Sequence, residues 1–166
     1  IVLVRGNANA VLLSPTGSGK TLAFLLPLAE SIDSSSDEVQ AVIMSPTREL
    51  SLQTLTALNA MKTGIRAMCC YGGRPAMDEH RKMAALRPQV IIGTPGRLND
   101  HIGKGNFNAR TVTALVVDEF DKMLELKFQD ELERLVNRLP KADSPQIIRD
   151  VDEELSRLED KYGIEQ

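Results

Sequence analysis

The stretch VQAVIMSPTREL, residues 39–50, joins a continuous apolar run to a turn and the polar start of a helix. Apolar runs without polar alternation are typical of strands that are covered on both faces. The same kind of run recurs in AVLLS from Ala10, PQVIIG from Pro88, VTALVVD from Val112 and, more weakly, IRAMCCY from Ile65. Helix-like stretches lie between these runs, at residues 20–31, 49–62, 76–86 and from Arg97 onward. This alternation predicts an α/β fold with a parallel sheet flanked by helices on both faces.

Polar motifs follow each of the five predicted strands. They occupy residues 14–21, 46–50, 71–73, 94–97 and 118–121. The carboxyl ends of parallel strands share one edge of the sheet, and ligands bind at that edge in sheets of this type. We therefore expect the five motifs to meet at one surface.

The segment SPTGSGKT, residues 14–21, matches the phosphate-binding loop pattern through Gly19, Lys20 and Thr21. Glycines allow backbone N–H groups to turn toward phosphates, and a helix start adds the positive end of its dipole. Lys20 would reach the outer phosphates, and the Thr21 hydroxyl would ligate a magnesium ion. Ser14 stands where the pattern usually has Gly and is small enough to fit. A Gly-rich turn with a solvated lysine is the competing interpretation, and the order of strand, loop and helix favours nucleotide binding.

Two carboxylates, Asp118 and Glu119, follow the apolar run ALVV. A magnesium ion held by Thr21 needs a second anchor, which Asp118 would supply directly or through water. Glu119 would orient and deprotonate the attacking water. These acids could instead cap the helix that begins there, but the phosphate loop upstream favours the catalytic interpretation.

Length and composition predict one domain over residues 1–166, with a core at about 8–148. The apolar spacing of Val151, Leu155, Leu158 and Tyr162 predicts an amphipathic helix at 149–166. The sequence has neither a membrane-length apolar run nor a signal-peptide pattern at its start. We expect a soluble, cytoplasmic monomer.

Charge and aromatic content restrict the kind of nucleic-acid site that the chain can carry. The net charge is −3, so a basic site must be local, and the absence of Trp with 4% aromatic residues argues against base stacking. Backbone recognition remains. Cys69 and Cys70 lie in an apolar run and are expected to be buried thiols. His80 and His101 lack zinc-like spacing and are interpreted as structural.

Five motifs, SPTGSGKT, SPTREL, YGGR, TPGRL and VVDEFDKML, occur in the order found in DEAD-box RNA helicases, and the chain resembles the N-terminal RecA-like domain of that family. PTREL and TPGR are the most specific, because neither belongs to generic phosphate-loop kinases or GTPases. The resemblance implies a RecA-like phosphate-loop NTPase fold with ATP and Mg²⁺ as cofactors. It implies ATP contacts from Ser14, Thr16, Gly17, Ser18, Gly19, Lys20, Thr21 and Asp118. Catalysis would then fall to Lys20, Asp118 and Glu119.

The resemblance also implies that RNA, single-stranded or structured, is held along its backbone. The implied contacts are Thr47, Arg48, Gly72, Gly73, Thr94, Gly96 and Arg97. Asp121 would couple the state of the bound nucleotide to the rest of the enzyme. Glycines, helix starts and arginines suit phosphate contact. Salt bridges from Arg48 to Glu49 and from Arg97 to Asp100 are the competing interpretation, but exposed pairs contribute little and RNA contact is favoured.

Three departures from the family pattern limit what the resemblance implies. The adenine-reading segment does not precede the phosphate loop, so adenine selectivity has no support in these residues. Phe120 replaces Ala, which keeps all three acids. The Ser-Ala-Thr motif does not follow PQII, which leaves truncation, missing residues or divergence open.

The favoured function is therefore the ATP-binding half of an RNA-stimulated helicase. Turnover would need an arginine from a second RecA-like domain, so we expect this chain alone to hydrolyse ATP poorly. A catalytically inactive RNA- or protein-interaction module is the alternative. A small-molecule phosphotransferase is disfavoured, since it leaves PTREL and TPGR unexplained.

Overall fold

A computed structural model describes residues 2–5, 8–11 and 20–140 of the chain. The strands in these ranges are β1 Val2–Arg5, β2 Ala8–Val11, β3 Ala41–Met44, β4 Ala67–Cys70, β5 Val90–Gly93 and β6 Ala114–Val117. The helices are α1 Lys20–Ser31, α2 Arg48–Ala60, α3 Ala76–Leu86, α4 Pro95–Gly103, α5 Phe120–Glu125 and α6 Gln129–Arg138, with a 3₁₀ turn at Ala109–Thr111. The amphipathic helix predicted at 149–166 lies outside the described residues.

The strands form a sheet in the order β2-β1-β6-β3-β5-β4. Strands β6, β3, β5 and β4 are parallel, which confirms the predicted α/β fold. The run from Ala10 was predicted to pair with a parallel neighbour, and this is wrong. Its described residues belong to β2, the outermost strand of the sheet, which pairs antiparallel with β1. Only two residues separate β1 from β2, whereas a parallel crossover needs about a dozen. Strand β1, which the sequence analysis did not identify, pairs antiparallel with β6.

Both faces of the parallel strands are buried, as their continuous apolar runs predict. On β3, Val42 and Met44 pack on the face covered by α3, α4, α5 and α6, while Ala41 and Ile43 pack on the face covered by α1 and α2. All four side chains are fully buried. Burying an aliphatic side chain of this kind contributes about 1.5–3 kcal/mol. The buried sheet therefore supports the loops that follow the ends of its strands.

Helix positions follow the predicted periodicity closely. Helices α1 and α3 have the predicted bounds, and α2 and α4 begin one or two residues earlier than predicted. Cys69 and Cys70 are buried free thiols of β4, as expected. Helix α6 was not among the predicted elements. No helix in the described ranges combines the length and apolar content needed to cross a membrane.

One row of residues defines the carboxyl edge of the sheet. The register aligns Val117 with Met44, Met44 with Gly93, and Gly93 with Cys70. Val2 pairs with both Val117 and Val11, so β2 runs in the same direction as β6 and ends in the same row. The residues that follow all five of these strands therefore leave the sheet at one edge.

At the opposite, amino edge, one carboxylate and two arginines tie the loop at residues 33–37 to the sheet. Asp37 pairs with Arg66 and Arg87, each at 2.9 Å, and these three residues form the Asp37 cluster. Arg66 also donates to the carbonyls of Ser36, Leu86 and Arg87. Buried Gln89 adds two hydrogen bonds to the same loop.

Candidate functional site

Backbone hydrogen bonds continue the sheet ladder one residue beyond the strands at the carboxyl edge. Asp118 N donates to Met44 O at 2.9 Å, and Ser45 N donates to Gly93 O at 2.9 Å. Thr94 N donates to Cys70 O at 3.1 Å. These bonds fix Ser45, Thr94 and Asp118, the first polar residues after β3, β5 and β6, side by side at the carboxyl edge.

Gly93, the last residue of β5, allows this close arrangement. A Cβ at Gly93 would lie 2.5 Å from Cys70 O and 2.9 Å from Leu98 Cδ2 of α4. A Cβ cannot approach other heavy atoms that closely without a clash, so a larger residue would displace either β4 or the start of α4. Gly93 thus sets the position of the motif that begins at Thr94.

The acidic motif lies at the end of β6. Asp118 is buried, and its Oδ1 accepts a hydrogen bond from Glu119 N at 3.0 Å. Glu119 has left-handed backbone angles, φ 52° and ψ 51°, which are uncommon for a residue with a side chain and cluster at functional sites. Its side chain makes no capping hydrogen bond to α5. Asp121 is exposed in the first turn of α5.

Most of the predicted phosphate loop, namely Ser14, Thr16, Gly17, Ser18 and Gly19, lies outside the described residues. Lys20 is the first residue of α1, and Thr21 lies half-buried in the same turn. Val11, from which the loop departs, shares its row with Val117 at the edge. Two strand spacings separate these residues, roughly 9–10 Å. The strand that precedes the loop in the sequence therefore ends near the strand that precedes the acidic motif.

Two arginines stack on one tyrosine after β4, at the same edge of the sheet as the acidic motif. The guanidinium carbon of Arg48 lies 5.4 Å from the centre of the Tyr71 ring, and that of Arg74 lies 4.2 Å from it. These distances are typical of cation–π contacts. Within the described chain Arg48 has no ion pair, so the alternative pairing with Glu49 is not observed. Thr47 caps α2 by accepting a hydrogen bond from Leu50 N at 3.3 Å.

A buried carboxylate, Glu79 of α3, connects two of the motifs, YGGR and TPGRL. Its Oε1 accepts hydrogen bonds from Arg97 and from His101 Nε2, both at 2.9 Å. Its Oε2 accepts from Tyr71 N at 3.0 Å and from Arg74 Nε at 3.2 Å. We call these five residues the Glu79 cluster. The Glu79 side chain is 2% exposed, so the four donors replace the water that it has lost.

Arg97 does not form the salt bridge to Asp100 that was the competing interpretation of the sequence. Its side chain is 14% exposed, and it binds Glu79 rather than Asp100, which pairs with Lys104 instead. The second arm of its guanidinium donates to Arg74 O at 2.9 Å. Arg97 therefore braces the turn that contains Gly72 and Gly73.

The electrostatics of the cluster favour an ionised Glu79. Burial raises the pKa of this carboxyl, but hydrogen bonds from His101 and Tyr71 N and the charge of Arg97 outweigh it, so its pKa is lower than usual. Asn106 Nδ2 lies 2.8 Å from His101 Nδ1. Donation by this amide leaves the ring proton on Nε2, facing Glu79.

The cluster also brings potential metal ligands together, since atoms of Cys70, Glu79 and His101 lie within 4.8 Å of one another. Metal binding needs a thiolate, but burial and the charge of Glu79 raise the pKa of Cys70 strongly. Each Glu79 oxygen is already bonded to a guanidinium. Burial likewise raises the pKa of Cys69 to about 11. The chemistry fits an ionic cluster rather than a metal centre, which agrees with the structural interpretation of His101.

The glycines of the motifs face open space. A Cβ at Gly72, Gly73 or Gly96 would meet no atom within 4 Å. Gly73 has φ 92°, a conformation that residues with side chains rarely adopt. Packing within the described ranges thus gives no reason for glycine at Gly72 and Gly96.

Sequence reasoning missed Glu79 and Arg74. One signal was available for Glu79: it precedes Met83 by four residues, and both are buried on the same face of α3. A carboxylate at an apolar position of a helix indicates a buried ion pair, although not its partners. Arg74 is the last residue of the YGGR motif, but the sequence analysis assigned it no role.

Comparison with known proteins gives consistent results. The family model for DEAD/DEAH box helicases matches residues 1–149. The ATP-dependent RNA helicase CshA of Limosilactobacillus reuteri is 37% identical over 144 residues, which are 84% of this chain and 28% of the relative. The ATP-dependent RNA helicase DeaD of Haemophilus influenzae is 41% identical over 138 residues, 81% of this chain and 22% of the relative. The chain thus spans well under a third of either protein.

Among solved structures, a DEAD box protein from the hyperthermophile Methanococcus jannaschii matches with a TM-score of 0.71 and 30% identity. The match covers 90% of this chain and 41% of that one. A second structure, a hypothetical ATP-dependent RNA helicase from Sulfolobus tokodaii, matches with a TM-score of 0.66 and 26% identity.

Proposed function

This chain belongs to the DEAD/DEAH box helicase family, and from that premise we propose that it is the ATP-binding, RecA-like domain of an ATP-dependent RNA helicase. The complete protein would hydrolyse ATP in response to RNA and remodel that RNA. A second RecA-like domain would close over the first and complete the site. Closure requires that both ligands bind the closed state more tightly than the open one.

The observation that carries this proposal is the shared row at the carboxyl edge. One edge holds the acidic motif, the arginine motif after β3, the glycine turn after β4 and the threonine motif after β5. In open α/β sheets ligands bind at this edge. A nucleotide site near Asp118 and an RNA site along the neighbouring strand ends would therefore lie side by side. This arrangement is suited to an enzyme in which ATP binding and RNA binding are coupled.

The residues near Asp118 have the chemistry that ATP with Mg²⁺ requires. Mg²⁺ prefers oxygen ligands, and the Asp118 carboxylate and Thr21 hydroxyl supply them. Ser14, Thr16, Gly17, Ser18, Gly19 and Lys20 would hold the phosphates, and Glu119 would orient the attacking water. Its left-handed backbone fixes the direction in which the carboxylate leaves β6. Bound ATP supplies the phosphoryl group and the energy for closure.

The RNA side of the proposal rests on the exposed glycines and the arginine stack. Open space at Gly72, Gly73 and Gly96 leaves room for a phosphate to approach the backbone. Thr47 and Thr94 begin helices whose N–H groups favour anions. Arg48, exposed and stacked on Tyr71, provides a charge-assisted contact. Arg97 contributes mainly by bracing the glycine turn.

The proposal is tested by ATP hydrolysis of the full-length protein with and without single-stranded RNA. We expect RNA to stimulate hydrolysis, and we expect Lys20→Ala or Glu119→Gln to lower the stimulated rate by at least about a hundredfold, since each removes a group that acts in the transition state. Arg87→Ala, at the amino edge, is the matched control. Hydrolysis that no RNA stimulates would instead support an inactive interaction module.

A further inference from the structure

Arg74, which directly follows Gly73, is held in place by three contacts. Its Nε donates to Glu79 Oε2 at 3.2 Å, and its NH2 group donates to Cys69 O at 3.1 Å. Its guanidinium also lies over the Tyr71 ring at 4.2 Å. A side chain fixed in this way has lost most of its rotamer freedom before any ligand binds, which lowers the cost of binding one.

Arg74 nonetheless retains binding capacity toward solvent. A guanidinium has five N–H donors, and the bonds to Glu79 and Cys69 engage two of them in the part of the chain that the structure describes. The side chain is 38% exposed, against 14% for Arg97. Of the two arginines on Glu79, Arg74 is therefore the more accessible.

The local charge favours an anion at this position. One carboxylate, Glu79, pairs with two guanidinium groups, those of Arg74 and Arg97. A third guanidinium, that of Arg48, stacks on the Tyr71 ring that Arg74 also contacts. The remaining positive charge is concentrated beside Gly72 and Gly73, where the backbone is open. Phosphate suits the fork geometry of arginine, because two parallel N–H groups can bind two oxygens of one group.

We propose that Arg74 is an additional contact for an RNA backbone phosphate, oriented by Glu79 and Tyr71 at the open glycine turn. This inference rests on the proposed function, since it places the phosphate on the same RNA path. The alternative is a purely structural role, in which Arg74 holds the glycine turn at Gly72 and Gly73 against β4 and does not contact a ligand. The two roles differ in whether a phosphate contact disappears when Arg74 is removed.

Salt dependence measures that contact directly. For single strands, each lost phosphate contact reduces the slope of log affinity against log salt by about 0.7. Binding of fluorescent oligouridylate to the full-length protein, with a non-hydrolysable ATP analogue, gives this slope. We expect Arg74→Ala to lower the slope by about 0.7 and the affinity by about tenfold, from the loss of one charge-assisted contact. If Arg74 has a purely structural role, its replacement by Ala will leave the slope unchanged.

Arg87→Ala is the matched control, because it removes an exposed arginine of equal charge from the opposite edge of the sheet. If Arg74→Ala retains the wild-type slope and stays within twofold of Arg87→Ala in affinity, the proposal is wrong. If Arg74→Ala does not fold, Arg74→Gln keeps a donor toward Cys69 O without the charge, and its slope decides. Wild-type protein that binds no RNA would overturn the proposed function, and this inference with it, whereas normal wild-type binding with an unchanged variant overturns only the role of Arg74.

Discussion

The Glu79 cluster and the Asp37 cluster lie at opposite edges of the same sheet and share a charge pattern of one carboxylate and two arginines. They differ in burial, because the Glu79 side chain is 2% exposed and that of Asp37 is 56% exposed. Water already solvates Asp37, so its pairs replace contacts of nearly equal strength. Glu79 has no such alternative. Burial, rather than charge, determines how much each cluster contributes to the fold.

The arginines of the two clusters also differ in their other partners. Arg66 keeps three backbone carbonyl contacts without Asp37, and Arg87 is largely exposed. His101 is fully buried and Arg97 is 14% exposed, and each contacts Glu79 through one side-chain nitrogen. Loss of Glu79 would therefore leave buried donors unsatisfied, while loss of Asp37 would leave none. The edge that carries the proposed RNA contacts is therefore the one where loss of the carboxylate is expected to cost more.

Replacement of Glu79 by Ala is expected to have the largest effect. Breaking a buried ion pair by removing one partner costs about 3–5 kcal/mol, since the remaining charge stays buried. We expect a loss of that size in urea unfolding of the full-length protein, with hydrogen exchange at residues 67–103 identifying the affected region. Equal losses of unfolding free energy for Glu79→Ala and Asp37→Ala would show that burial does not determine how much each cluster stabilises the fold.

The pH dependence of stability provides a second comparison. The pKa of Glu79 is lowered in the folded state, so its stabilisation is fully present above the unfolded value of about 4.3 and is lost as pH falls through the folded pKa. We expect the difference in unfolding free energy between wild type and Glu79→Gln to be widest above about pH 5 and to narrow in acid. Unfolding curves at a series of pH values measure it. A difference that grows in acid would contradict the assigned direction of the shift.

Replacement of Asp37 by Ala is expected to have the smallest effect. Exposed pairs contribute about 0.2–1 kcal/mol, and salt screens them. We expect a loss in that range in urea unfolding at low salt, and a smaller loss in 1 M NaCl, roughly where the Debye length falls to 3 Å. A loss above about 2 kcal/mol would indicate that the loop at residues 33–37 depends on Asp37 for more than charge.

Local pattern predicted the parallel strands and their helices well, because continuous apolar runs and helical periodicity are encoded within a few neighbouring residues. The bounds of α1 and α3 were predicted as observed. The pairing of β2 was not, since an apolar run does not reveal whether its neighbour is reached by a short turn or a crossover. The predicted roles of the phosphate loop, and those of the RNA-contact residues, remain predictions.

The sequence by itself determined the alternation of the parallel strands with helices α1 to α4. With it came the position of the motifs after β3, β4, β5 and β6 at one edge, because parallel strands end on the same side. Only the tertiary structure decided the partners of Arg97, His101 and Arg74. Glu79 is 18 residues from Arg97 and 22 from His101. Their contact depends on how α3 and α4 pack beside β4 and β5, and no local spacing encodes that packing. For the same reason, composition could not distinguish the Glu79 cluster from the Asp37 cluster.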